Sequence, residues 1–460
     1  MEAGDESMAR VPDDILACVL CHLAPRSLAA SRCVCKGWRD LIDGRRLLRT
    51  DLLPLSIYGI FFMEIDVLCG DPPRLFANPL TSRRIDPNLG YVEQEEGYDL
   101  RIKNHCNGLL LLSGHVVLNP ATKQWVRLPP PPPPCAATGM EAFCNDVCLA
   151  FDPTVSPDYE VFLIPNIPCN LDPTTTMFTV DSEWPPSPYA IQVFSSRTWT
   201  WEERSFLRKG EAAAATIADM QQYRDFQRRY IVYWKGALYV HCPNDSIMRI
   251  TLSDGVYQVI KSPTGGRLEG STHLYLGKSN KGVYCALIYG NVQHQLQVWL
   301  LDESYGSMEW ELKDDINFAP VTAKISLLEH KDGFPNNRKH KDRNLRPWIF
   351  LRGNSRDEDV KEGLVEDNAE WDFTKGFIHE TQDLKVNWDH THCVEAYFLG
   401  FHPYKEIVFL WMSKKTAVAY DFSSSKVQCL GNLNAHWIGV SFAYTPCWTG
   451  ELSGKNYLYG

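Results

Sequence analysis

The stretch NGLLLLSGHVVLNPATKQWVRLP, residues 107–129, sets out the pattern that decides the architecture. A short apolar run is closed by a polar turn, a second run ends at Asn119, and a further turn leads to a third run that holds Trp125. Short apolar runs bounded by Gly, Asn, Pro and Ser read as strands. The same order returns in KGALYVHCPNDSIMRITLSDGVYQVIKSP from Lys235, KGVYCALIYGNVQHQLQVWLLDESYGSMEWELK from Lys281 and KEIVFLWMSKKTAVAYDFSSSKVQCL from Lys405. CLAFDPTVSPDYEVFLI with IQVFSSRTWTWEERSF reads as a further unit with a long inserted loop. A repeat of about 40 to 50 residues built from three or four strands is the unit of a β-propeller, whose blades bury their faces against neighbours. A β-sandwich also has short strands, but gives no reason for blocks that a Lys-Gly or Asn-Gly turn opens in the same order. The expectation is a mainly β chain, a propeller of roughly six to eight blades over residues 55–460. The run WIGVSFAYTPCW, residues 437–448, is expected to close it against an N-terminal strand, since an open ring leaves a bare edge.

The first fifty residues follow another period. In ILACVLCHLAPRSLAASRCVCKGW, residues 15–38, the positions Ile15, Leu16, Val19, Leu20 and Leu23 fall at helical spacing behind Pro12, Asp13 and Asp14, which suit a helix start. Pro25 ends that helix; a short second one is predicted around Leu28 to Ser31, and a third from about Cys35 sets Val34, Trp38, Leu41 and Ile42 on one side. Three such helices make a very small core, so a neighbour or partner is expected over their apolar faces. Cys18 and Cys21, with Cys33, Cys35 and His22 nearby, are also open to a zinc reading. Structural zinc, however, needs four ligands converging from turns, and Cys18 and Cys21 fall inside an uninterrupted helical pattern.

Composition narrows the partners. With 46 basic against 56 acidic residues the net charge is -10, which disfavours a broad grip on nucleic acid or an anionic membrane and favours a protein partner. Residues 1–10 have no apolar core of a signal peptide, and the most apolar run, 52–63, is too short to span a bilayer, so the cytosol or nucleus is expected. Fifteen scattered cysteines then read as reduced, buried small hydrophobes.

Three stretches read as lying outside the core. Prolines 129–134 form an exposed polyproline linker, open also to a proline-reading module. Residues 331–346 hold six Lys or Arg against two acids, and 354–370 seven acids against two bases; together, 331–370 reads as a charged loop insertion. RKHKDR within it reads as solvated loop or nuclear address.

No cofactor motif or catalytic constellation is visible. GKS at 277–279 lacks the glycine five residues earlier that a phosphate loop needs, Thr272 standing there. His390, His392 and Glu395 are the best metal candidates, with no second ligand cluster; a polar turn is the alternative.

With these residues in view, VPDDILACVLCHLAPRSLAASRCVCKGWRDLI, residues 11–42, resembles an F-box, with Val11 where Leu is usual. The resemblance implies a three-helix domain over residues 8–50 that docks on the Skp adaptor of a cullin-RING ubiquitin ligase. Residues implied at that contact are Val11, Pro12, Ile15, Leu16, Val19, Leu20, Leu23, Leu28, Val34, Cys35, Trp38 and Leu41. The remainder resembles the F-box-associated propeller regions of plant F-box proteins, most clearly at NGLLLL followed by VLNPATKQWVRLP. On this reading the chain is a non-enzymatic substrate adaptor for an unknown protein target, without cofactor or metal. The alternative is a propeller enzyme or metal-binding protein using His390, His392 and Glu395.

Overall fold

A computed structural model of the 460-residue chain describes, with short breaks, residues 12–47, 57–318 and 396–448, together with 321, 348–351, 378–380 and 452. The N-terminal part holds two helices, α1 (Asp13–Cys21) and α2 (Lys36–Gly44), with helical backbone again at Leu28 and Ser31. The Pro12 carbonyl accepts from the Ile15 and Leu16 amides, each at 3.0 Å, and Asp13 and Asp14 place carboxylates at the positive end of the α1 dipole. Ala17, Leu20, Leu28, Leu41 and Ile42 form a small core, with Leu16, Trp38 and Leu47 against it.

Most of the remaining described chain is strand, in six units. The first opens with β1 (Gly59–Glu64) and β2 (Arg74–Ala77). The second is β3 (Ile102–Cys106), β4 (Leu109–Leu112), β5 (Val116–Asn119) and β6 (Gln124–Arg127). The third is β7 (Cys144–Phe151), β8 (Tyr159–Asn166), β9 (Tyr189–Ser195) and β10 (Thr200–Arg208). After a short helix α3 (Ile217–Gln221), the fourth is β11 (Ile231–Trp234), β12 (Ala237–His241), β13 (Ile247–Thr251) and β14 (Val256–Ile260). The fifth is β15 (Thr272–Ser279), β16 (Gly282–Tyr289), β17 (Gln295–Asp302) and β18 (Glu309–Asn317). Two short strands follow, β19 (Ile349–Leu351) and β20 (Ile378–Glu380). The sixth unit is β21 (Ala396–Phe401), β22 (Ile407–Met412), β23 (Thr416–Asp421) and β24 (Lys426–Asn432), and β25 (Ile438–Tyr444) ends the series.

Strand order is β19-β2-β1-β25 in the first unit, β20-β24-β23-β22-β21 in the sixth, and an uninterrupted antiparallel meander in each of the others. The third and fourth units join into one eight-stranded sheet only through a parallel pairing of Leu207 and Arg208 with Val256 and Tyr257.

Local chemistry explains the repeating turns. Asn107-Gly108 and Lys235-Gly236 are two-residue hairpin loops with both φ angles positive (44° and 91°, 44° and 78°), the conformation whose twist matches paired strands. At Gly108 a side chain is also excluded by space, since a Cβ would stand 2.6 Å from the Cys447 amide nitrogen. The strand-ending residues noted in the sequence cap turns: Asn119 Oδ1 accepts from the Ala121 amide at 3.0 Å and Asp421 Oδ1 from the Ser423 amide at 2.9 Å.

Successive side chains on a strand point to opposite faces, and here both faces are covered. In β4, Leu110 and Leu112 enter a core shared with the first unit, while Leu109 and Leu111 enter one shared with the third. Further cores join the third unit to the fourth, the fourth to the fifth and the fifth to the sixth. A last one joins the sixth to the first, with Phe409 and Trp411 beside Ile60, Phe62 and Phe76. The contacts therefore return to their starting point. As the sequence predicts, the C-terminal run pairs with an N-terminal strand: β25 lies antiparallel to β1 from Gly59 opposite Tyr444 to Glu64 opposite Ile438.

One expectation is corrected. The stretch 331–370, read as a charged loop insertion, contains β19, which pairs with β2 from Ile349 opposite Ala77 to Leu351 opposite Leu75. Trp348 is buried against Phe76, with ring centroids 5.6 Å apart, and its amide donates to the Leu430 carbonyl at 2.8 Å. The apolar run Trp348 to Leu351 lies between the two charge blocks, and the free edge of β2 recruits it. RKHKDR and the rest of that stretch lie outside the described residues, as do Pro134, His390, His392 and Glu395.

Candidate functional site

Two surfaces are candidates. On the helical unit, Ile15 and Val19 are four residues apart on one face of α1 and are 56% and 57% exposed; Val34, just before α2, is 63% exposed. Pro12 and Cys35 are exposed as well, and Leu16 and Trp38 are half-buried. Large aliphatic side chains left this open on so small a unit form an uncovered apolar face. Leu20, Leu28 and Leu41, expected on the same face, lie instead in the core of the unit, with at most 9% of their surface exposed. Val11 and Leu23 lie outside the described residues. The Cys35 thiol accepts from the Trp38 amide at 3.5 Å, capping α2, and Cys18 is exposed; the side chains of His22, Cys21 and Cys33 are outside the description.

The second surface lies where β3, β7, β11, β15, β21 and β25 meet one another across the units. Side chains of these strands bridge the gap between sheets. Asn104 accepts from the Leu149 amide at 3.1 Å and donates to the Ile231 carbonyl at 3.5 Å. Asn107 donates to the Phe151 carbonyl at 2.6 Å. The Lys278 ammonium donates to Asn107 Oδ1 at 2.8 Å and to the Tyr233 carbonyl at 3.0 Å. These bonds gather the C-terminal ends of β3, β7, β11 and β15 at one mouth. Because strands alternate in direction, the two-residue turns 107–108 and 235–236 rim that mouth, and β6, β8 and β10 end on the opposite side.

His105 lies on β3, one of the inner strands, with its side chain exposed. Its ring stacks on Phe442 at 3.7 Å. Enclosure, and more weakly the Lys278 charge, hold its imidazole below the ordinary value, so it is neutral at physiological pH. Further along, Tyr275 stacks on Phe398 at 4.8 Å with Tyr230 edge-on to both.

Sequence reasoning missed Asn104, Asn107 and Lys278. GKS, dismissed as a phosphate loop, is part of β15: Gly277 packs on the Phe401 ring, Lys278 reaches Asn107 and Tyr233, and Ser279 donates to the Lys405 carbonyl at 2.9 Å. The proline run is held as well. Trp201 Nε1 donates to the Pro129 carbonyl at 2.8 Å, and Gln192 Nε2 to those of Pro132 and Pro133 at 3.1 and 3.3 Å, strapping the run to β9 and β10.

Residues 8–50 match the model of the F-box domain. An F-box protein of Arabidopsis thaliana is 23% identical over 362 residues, covering 71% of this chain and 75% of its own. A second F-box protein of that plant is 24% identical over 383 residues, covering 76% and 92%. Among solved structures, YCF48 bound to a D1 peptide is 7% identical and covers 81% of this chain and 80% of its own, with a TM-score of 0.33, too loose a likeness to bear on the fold.

Proposed function

From the F-box domain at residues 8–50, we propose that this chain is the substrate-recognition subunit of a cullin-RING ubiquitin ligase. The F-box holds a Skp-type adaptor, and residues 55–460 hold a target protein; catalysis belongs to the partners, and the role places the chain in the cytosol or nucleus. The observation that carries this reading is the open apolar face of Ile15, Val19 and Val34 on the unit that matches the F-box model. An adaptor that covers them removes apolar surface from water, worth about 1.5 to 3 kcal/mol for each large side chain fully covered.

The β part we read as a six-bladed propeller. Six units of four or five strands among the described residues, each sharing an apolar core with the next and the sixth with the first, support that count. A rigid ring presents loops to a target and raises the target's effective concentration beside the ubiquitin-charged enzyme.

The test is co-purification from plant cells under proteasome inhibition, comparing the full chain with a form lacking residues 1–50. The Skp adaptor should accompany only the full chain, and proteins retained by both forms are target candidates. Equal adaptor recovery with the shortened form would overturn the assignment.

A further inference from the structure

The inner strands of the ring carry charge of the sign opposite to that of the chain. Over 460 residues acids exceed bases and the net charge is -10. On the six inner strands the order reverses: Lys103 and Lys278 stand against one acid, Asp146. Asp146 lies near the start of β7, away from the end gathered around Lys278.

Lys278 is the one of these two lysines that the fold holds in place. Its ammonium is half-buried and donates to two neutral oxygens, Asn107 Oδ1 and the Tyr233 carbonyl, and among the described residues no carboxylate lies within ion-pair distance of it. An ammonium has three protons, so one donor and the whole unit charge remain. Asp152, whose charge is felt by Cys106 and Tyr233, is turned into its own loop, its Oδ1 accepting from the Thr154 amide at 3.0 Å and hydroxyl at 2.6 Å. The other titrating groups that feel Lys278 supply no anion: His105 is held neutral, and burial pushes the thiols of Cys106 and Cys148 up. Charges removed from water are ordinarily paired, and a low-dielectric wall around an unpaired one concentrates its field.

We infer that the mouth around Lys278 is a binding site for an anionic oxygen group, a phosphate or a carboxylate, carried by the target. Lys278 supplies the charge, and its free ammonium proton supplies the hydrogen bond, short and charge-assisted. Asn107 and the Tyr233 carbonyl hold the ammonium in place, so its ordering does not have to be met on binding. The inference rests on the substrate-receptor reading and names the chemistry of the substrate. Its test varies Lys278 and Asn107 and leaves the F-box unit untouched, so its failure leaves adaptor binding through Ile15, Val19 and Val34 standing.

The measurement is thermal unfolding of the full chain in inorganic phosphate, in acetate and in chloride at matched ionic strength, for the native chain, Lys278→Gln and Lys278→Arg. The native chain should show a saturable rise in melting temperature over chloride. Phosphate acting alone identifies a phosphorylated target, and acetate acting comparably identifies a carboxylate. Lys278→Gln keeps a donor for the neighbouring oxygens without the charge and should raise the half-saturating concentration tenfold or more; Lys278→Arg should keep it within a few-fold. Should the glutamine variant not fold, Asn107→Asp places a carboxylate against the ammonium and should abolish the response. No saturable response in the native chain, or one undiminished in Lys278→Gln or Asn107→Asp, overturns the inference.

Discussion

The side-chain amide of Asn119 donates to the backbone carbonyl of Cys447 at 2.9 Å, joining residues 328 positions apart in the second unit and the C-terminal segment. Phe61 on β1 stacks on Phe442 of β25 at 5.8 Å beside it in the fold. An early strand and a late one thus meet in the first sheet. Removing residues 437–460 takes away β25, bares the edge of β1 and uncovers Phe61. The shortened chain should be insoluble or cleaved early in limited proteolysis. Recovery of a monomer that unfolds cooperatively would contradict the closure.

The helical unit separates docking from folding. Ile15→Ala with Val19→Ala trims only exposed side chains, so the unit should stay folded while adaptor binding weakens by about 2 to 4 kcal/mol, measured by calorimetry. Leu20→Ala empties a core position and should cost about 2 to 5 kcal/mol of stability in the unit itself. If the double variant binds with native affinity, the docking face lies elsewhere.

The stretch 331–370 should not behave as one dispensable loop. Trp348→Ala removes a buried indole against Phe76 and Phe409 and should cost about 3 to 5 kcal/mol in urea unfolding. Replacing residues 354–370 alone by a Gly/Ser linker should leave the midpoint nearly unchanged, because seven acids against two bases bury little. Equal loss from both changes would mean the acidic block is also packed.

His402 should make the ring sensitive to mild acid. It is buried in the turn between β21 and β22, and its Nδ1 accepts from the amides of Tyr404 at 3.0 Å and Lys405 at 3.2 Å, a role only the neutral ring can fill. Burial, and then the Lys405 charge, push its imidazole down to about 3. A folded value below the unfolded value of about 6.5 means that the unfolded chain takes up the proton first. The stability is therefore complete above about pH 6.5 and is lost progressively as pH falls from there toward about 3. Between pH 7.5 and 5.5 this one group should account for about 1 kcal/mol of lost stability. His402→Asn keeps an acceptor without the proton, and denaturant unfolding at the two pH values should show that increment missing. An identical pH dependence in the variant would place the acid sensitivity elsewhere.

What the sequence by itself determined was chemistry acting over a few residues. Asn107-Gly108 and Lys235-Gly236 can take positive φ, Asn119 and Asp421 can cap the turn that follows them, and Pro12 with two aspartates can start a helix, whatever surrounds them. Those signals were enough to read the repeating unit, the helical N-terminus and the strand that closes the first sheet. Which side chains face a partner was not legible, because Ile15 and Leu20 are the same kind of residue on the same helix, and only the packing of α2 and Leu28 buries one and leaves the other open. Trp348 was hidden by the charge on either side of it, since composition averages over a window while a sheet edge selects the three residues that follow it. Lys278 could not be singled out among 46 basic residues: whether a charge is neutralised depends on what stands within a few ångströms. For Lys278 those neighbours are Asn107 and Tyr233, 171 and 45 positions away, so tertiary structure alone decided it.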